Sequence, residues 1–341
     1  MNKILSLLIG LFFFHLSSLM AVENEELVTW ETQKLKGKVR SVEYVARIVN
    51  GCKAKEDTLT TKFYFNEDGT CSLHEETEVS WSQGEREVKH TIANYLYKKG
   101  RLIEELETSE DSRSDENKFR YKYVFIYDKR GHLKRADCLC QSRDGESTTR
   151  YDYETDKSGK IIHQVITMPG APVTGEKGHT ANCYCRGDLS YHYNETGLLA
   201  DMEDSHLKTS YAYDQAGHLM NTVSIEEGDT TNISYQYDQQ GNVVQEEEVG
   251  SHAHSKLALT SMMDNNPHRG EAHRKIHAGH LLHNQFADDF VEACATVGDN
   301  ENHLLNKMAY QYDEHENWIT KVEVDCNVLT YKYTVARIVY Y

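Results

Sequence analysis

The chain has 341 residues, a formal net charge of −17, 39% hydrophobic residues, 22 tyrosines and three prolines. The excess of acid leaves no basic patch for phosphates, so nucleic acid is not an expected partner. A hydrophobic fraction under the roughly 45–50% of ordinary domains excludes a thick globular core, and favours a thin one in which tyrosine is half buried and half wet.

In chain order, residues 1–21 read as a signal peptide. Lys3 gives the positive start, Ile4 to Leu16 the apolar stretch, and Ser17 to Ala21 a small-residue cleavage site. The apolar run is too short to span a bilayer. No cysteine follows the cleavage site until Cys52, which argues against a lipid anchor. Nothing later is apolar enough to span a membrane, and charge along the strands argues against an outer-membrane barrel. A protein exported to the periplasm, the medium or the cell surface is expected, with residues 22–341 forming one domain.

From Phe63 almost to the C-terminus one phrase recurs, Tyr-x-Tyr-Asp-x-x-Gly followed two residues later by an aliphatic side chain. It is clearest at Tyr211-Ala-Tyr213-Asp214-Gln-Ala-Gly217-His-Leu219 and at Tyr235-Gln-Tyr237-Asp238-Gln-Gln-Gly241-Asn-Val243. Repetition at a few tens of residues fixes an architecture. Tyr-x-Tyr puts two rings on one strand face. Asp opens a turn by accepting the N–H groups ahead of it, and Gly supplies the positive φ that ends a type I turn with a bulge. The phrase therefore encodes a β-hairpin, and since one hairpin is marginal in water the copies must pair in series. Other copies start at Phe63, Tyr95 (one residue shorter), Phe125, Tyr151 (with a longer turn to Gly159), Tyr191 and Tyr310. In the last, Glu316 replaces glycine, a strain of about 1 kcal/mol in the left-handed region, so a different turn type is expected there.

These residues resemble the YD-repeat (Rhs-type) family, in particular its secreted bacterial members. Leu35-Lys-Gly37-Lys-Val39-Arg-Ser41-Val42 is similar to their first strand, the Tyr-Asp-x-x-Gly hairpins to their middle, and Asn317-Trp318-Ile319 with Arg337 to Tyr341 to their last repeat and final strand. The resemblance covers about 35–341 less two gaps. It implies an all-β, antiparallel, winding or curled sheet, which in large relatives wraps a toxin; this chain ends on its final repeat, so no enclosed cargo is expected. The expected fold is an elongated, twisted sheet of repeated hairpins with open edges at its first and last strands.

Two stretches interrupt the repeats, a loop at 168–180 and a His-rich segment at 250–307, and the three prolines (Pro169, Pro172, Pro267) fall in them. The second is expected to contain a helix. There His273, His277, His280 and His283 would share one broad face, and with Asp288 and Asp289 they are candidate zinc or copper ligands; a polar helix or loop whose histidines face water, or two degraded repeats of strands, are the alternatives. Eight cysteines in an exported chain raise disulfides. Cys138-Leu-Cys140 and Cys183-Tyr-Cys185 each aim two sulfurs to one strand face, which fits cross-strand disulfides, buried thiols or a four-thiolate zinc site. Arg186-Gly187-Asp188 is expected in the turn after Cys185.

No phosphate loop, nucleophile elbow or His-Glu-x-x-His is present, so a non-enzymatic protein is expected. The favoured function is binding of glycan or cell-envelope polymer by tyrosine-lined sheet, with Tyr211, Tyr213, Tyr235, Tyr237, Tyr310, Tyr312 and Trp318 as candidate contacts. The same rings equally suit a core. The alternatives are a metal-binding envelope protein using the histidine segment and a purely structural or protein-contact module.

Overall fold

The computed structural model describes residues 28–50, 56–82, 85–112, 118–142, 145–169, 173–174, 180–181, 184–226, 228–250, 303–325 and 330–341. Among these residues every regular element is a strand: β1 (Val39–Asn50), β2 (Asp57–Phe65), β3 (Cys71–Ser82), β4 (Glu85–Lys98), β5 (Arg101–Asp111), β6 (Phe119–Tyr127), β7 (Leu133–Ser142), β8 (Gly145–Thr155) and β9 (Ile161–Pro169) in the first half. After a small hairpin of β10 (Val173–Thr174) and β11 (Thr180–Ala181) come β12 (Tyr184–Tyr193), β13 (Leu199–Glu203), β14 (Leu207–Tyr213), β15 (Leu219–Glu226), β16 (Asp229–Tyr237), β17 (Val243–Gly250), β18 (His303–Tyr312), β19 (Trp318–Asp325) and β20 (Thr330–Tyr340).

Eighteen strands form one antiparallel sheet in sequence order, with β9 pairing β12 across the small hairpin. The sheet is closed. β1 and β20, expected to be open edges, pair from Val39 opposite Tyr340 to Asn50 opposite Thr330. The hairpin phrase specifies each local pair but not the number of strands at which accumulated twist brings the ends together, so closure was not readable from it. The helix-containing segment expected at 250–307 lies in 251–302 outside the described residues; its described ends, Gly250 and 303–307, are strand. Arg186-Gly187-Asp188 lies inside β12 and not in a turn.

The turns follow the reading of the phrase closely. Asp128 Oδ1 accepts from the N–H groups of Arg130, Gly131 and His132 at 2.8, 2.7 and 2.9 Å. These bonds, the His132 N–H foremost, hold its carboxyl down at about 2. The hairpins carry a bulge beside the second ring, as between Ala212 and Tyr213 and between Gln236 and Tyr237. The turn before Gly159 is not longer than the others: Asp156 opens a regular one, and Thr155 stands opposite Ile161 where other repeats place a ring. Glu316 holds φ +62° in a turn of the same type, its N–H bonded to Asp313 O at 3.1 Å.

Closure gives each strand an inner face, and the register identifies it. Tyr95 lies opposite Glu105, Glu105 opposite Tyr123, and Tyr123 opposite Cys138. The same face buries Ala93, Phe125, Ala136, Tyr151, Tyr153, Leu189, Tyr191 and Met202. The opposite face carries ion pairs between neighbouring strands: Glu43 holds Lys62 at 3.0 Å and Arg337 at 3.2 Å, and Glu104 holds Lys122 at 2.9 Å.

Candidate functional site

The tyrosine hydroxyls explain why the repeat uses tyrosine and not phenylalanine. Tyr127 donates to Leu102 O at 2.7 Å, Tyr193 to Ile161 O at 2.7 Å, Tyr237 to Leu219 O at 2.6 Å, and Tyr310 to Val243 O at 2.9 Å. Each acceptor is the aliphatic residue that opens the preceding return strand, so every such hydroxyl staples one repeat to the one before. At the last two repeats the staple changes form. Tyr312 donates to Asp238 Oδ2 and receives Asn242 Nδ2. Tyr340 donates to Asp313 Oδ2 at 2.7 Å and receives Asn317 Nδ2 at 2.8 Å.

The candidate binding rings therefore belong largely to the wall. Tyr211, Tyr213, Tyr235, Tyr237, Tyr310 and Tyr312 are half-buried on the inner face. Burial raises the Tyr211 hydroxyl to about 12 and pushes those of Tyr213, Tyr235 and Tyr237 upward too. Trp318 lies opposite Tyr312 and stacks on Tyr44 with ring centroids 4.7 Å apart.

Away from the turns the inner wall becomes acidic. Glu105 and Glu107 sit two residues apart on β5, between Tyr95 and Tyr123 and between Ala93 and Tyr121. Glu76 on β3 faces the same way. Burial, reinforced by Glu107, raises the Glu105 carboxyl to about 7. Burial raises Glu107 and Glu76 as well, against the pull of Lys89. All three keep intermediate exposure. Sequence reasoning missed them because Glu-x-Glu on a strand looks the same whether it faces in or out.

Cys138 and Cys140 are free thiols on this wall beside Tyr123 and Tyr121, and burial lifts Cys138 to about 11 and Cys71 to about 12. β8 and β9 separate β7 from β12, where the Cys185 backbone lies opposite Met168; Cys183 is outside the described residues. His273, His277, His280 and His283 also lie outside them. Among the described residues no group of three His, Cys, Asp or Glu has the arrangement of a metal site.

At the turn end, residues 28–38 cross the seam as a strap. Cys71 N–H bonds Val28 O at 2.7 Å, and the Trp30 indole donates to Val39 O at 2.6 Å. Lys34 Nζ reaches Gly241 O at 3.0 Å, and Lys36 pairs with Glu316. Asn317, 2% exposed, accepts from Lys36 N–H at 2.6 Å and donates to Lys36 O at 2.9 Å. Between the strap and three successive turns lies a cavity of ≈ 300 Å³, lined among others by Lys34, Lys36, His218, Gln240, Glu316 and Trp318. In that lining, the sequence marks Gly241 as a turn glycine, Glu316 as a departure from the turn rule and Trp318 as a candidate contact ring.

A family model described as Teneurin YD-shell matches residues 19–258, more than half of the chain. No curated protein matches. Among solved structures, a porin-like protein from Bacteroides uniformis is 14% identical over 64% of this chain and 91% of its own, with a TM-score of 0.38. The Photorhabdus luminescens Tc holotoxin pore carrying a TccC3 mutation is 12% identical over 81% of this chain, with a TM-score of 0.29, and a TcdB2-TccC3 complex is 10% identical over 80%, with a TM-score of 0.19. The chain spans only 14% and 19% of those two proteins.

Proposed function

Since this chain belongs to the Teneurin YD-shell family, a structural and non-enzymatic fold, we propose that it works as an exported shell of the cell envelope whose inner wall contacts a cationic polypeptide. The observation that carries this reading is the carboxylate cluster on the inner wall. Beyond the tyrosine rings the inner face carries Glu76, Glu105 and Glu107, all raised by burial, with Lys89 offsetting only part of their charge. A lysine-rich segment would add to the charge that Lys89 supplies there, and its stems would lie along the rings. The Lys3–Ala21 segment supports export.

The test uses Cys140 as a reporter on the inner wall. Its alkylation by a small thiol reagent, resolved by peptide mass spectrometry, is expected to slow when an unstructured lysine-rich peptide is added and to recover at high salt. Labelling at Cys140 that ignores the peptide overturns the reading.

Glycan contact is a second reading, and one observation favours it: the mouth cavity brings an indole together with amide and ammonium groups. The inward rings of the repeats favour it less, because their hydroxyls are engaged in staples. Zinc at His273, His277, His280 and His283 remains a proposal of the sequence, tested by the metal content of the protein before and after joint replacement of His277 and His280 by alanine.

A further inference from the structure

The mouth cavity lies where the repeat breaks its own rules. From Gly100 to Gly217 the residue after each turn glycine lies over the next one: a side chain at Gly159 would come within 2.8 Å of the His132 ring, and one at Gly241 within 3.1 Å of His218. The series stops at Asn242, whose amide turns to the Tyr312 hydroxyl. The next turn has Glu316 in place of glycine and Trp318 in place of the aliphatic residue found at Leu133, Leu219 and Val243. Space that earlier repeats fill is left open here, and the strap closes one side of it with two lysines. Local rules broken together at one place are where function is expected.

The lining also reverses the charge of the chain. In a protein of net charge −17, Lys34 and Lys36 present two ammonium groups here against one carboxylate, Glu316. Asp214 behind His218 is already engaged, at 2.9 Å from its Nδ1. Gln240 is exposed and supplies both a donor and an acceptor. An indole, amides of both polarities and ammonium groups match a ligand with one apolar ring face, several hydroxyls and one negative charge. The volume, at the small end for ligand pockets, fits a single six-membered ring.

We propose that this cavity binds one acidic monosaccharide unit, a uronic or sialic-type acid, at the end of a glycan. The proposal deepens the glycan reading and rests on it. Calorimetric titration of the purified protein with glucuronate and with N-acetylneuraminate, and with glucose and acetate as controls, tests the chemistry. One of the acids is expected to bind about tenfold or more tighter than either control. Gln240→Ala changes an exposed side chain away from the wall, and Lys34→Met removes an ammonium together with its bond to Gly241 O; each is expected to weaken that binding about tenfold, with the thermal midpoint unchanged in Gln240→Ala.

Equal binding of glucose removes the acidic specificity and overturns the proposal. So does binding of the acids that survives both variants. A glycan array separates the two levels of failure: array binding unchanged in both variants keeps the glycan reading and eliminates this site, whereas an array silent for the unmodified protein eliminates both.

Discussion

At the turn end of the barrel the repeat itself supplies partners for polar atoms of its hairpins: three N–H groups for Asp128, Leu102 O for Tyr127, Leu219 O for Tyr237. At the opposite end the inner wall carries Glu76, Glu105 and Glu107, whose carboxyls are all raised by burial. One end is over-determined, and the other carries buried carboxylates whose charge Lys89 offsets only in part. The difference separates two duties that a repeat protein must perform. The staples make the wall, and the acidic zone, free of the repeat's rule, is available for contact.

The strongest way to break the over-determined end is at the seam. Asn317 ties Lys36 of the strap to Tyr340 of the last strand through three hydrogen bonds. Asn317→Ala orphans a buried network, and a loss of about 3 kcal/mol is expected. A lower urea midpoint, together with faster amide exchange confined to residues 28–38 and β20, is the checking measurement.

The staples come next. Tyr237→Phe removes a 2.6 Å bond and leaves the Leu219 carbonyl without its hydroxyl partner, for an expected cost of about 1 kcal/mol. Tyr97 supplies the control, because its hydroxyl is buried with no hydrogen-bond partner in the repeat whose turn is one residue shorter. Tyr97→Phe is expected to be neutral or slightly stabilising in the same urea melts. Equal costs at the two positions would mean that the hydroxyls do not staple.

The acidic end is sharpened by pH. The Glu105 carboxyl is at about 7 in the fold, above the ordinary value of 4.5, so between these values the folded state binds more protons than the unfolded one. Stability therefore falls as pH rises from about 4.5 to 7, and the penalty is fully present above 7. Glu105→Gln is expected to raise the thermal midpoint by a few degrees at pH 8 and to leave it nearly unchanged at pH 4.5.

How much of this was legible depended on the range of the interaction that decides it. Hairpin, bulge and Asp-capped turn are settled within seven residues, so the phrase from Tyr211 to Gly217 displayed them. The staple from Tyr237 to Leu219 acts between neighbouring repeats, and a recurring tyrosine hints at it without showing the acceptor. Closure of β1 on β20 and the inward aim of Glu105 depend on the whole set of strands, and no local pattern encodes them. Whether the rings were contacts or core stayed open for the same reason: period two places Tyr211 and Tyr213 on one face but does not say which face the sheet encloses. The mouth cavity was half legible, since Glu316 visibly departed from the turn rule and Trp318 stood as a candidate ring, while Lys34 and Lys36 arrive from a segment outside the Tyr-Asp hairpins and meet them only through the fold.

Glu316 offers the finest test, because it breaks the repeat while keeping the repeat's geometry. Its φ of +62° lies close to the +79° of Gly241, and its N–H makes the same turn bond. Glycine would adopt that conformation without crowding its Cβ against the backbone. What glutamate adds is an exposed pairing with Lys36, a type of contact that contributes little when both groups are solvated and less still in salt. Glu316→Gly is therefore expected to stabilise the turn slightly, with a small rise in thermal midpoint that grows as salt is added. If the residue were there for the turn, the variant would lose stability. A gain means that the chain tolerates backbone strain at this turn to place a carboxylate and a lysine at the mouth, which ties the departure to the cavity and not to the wall.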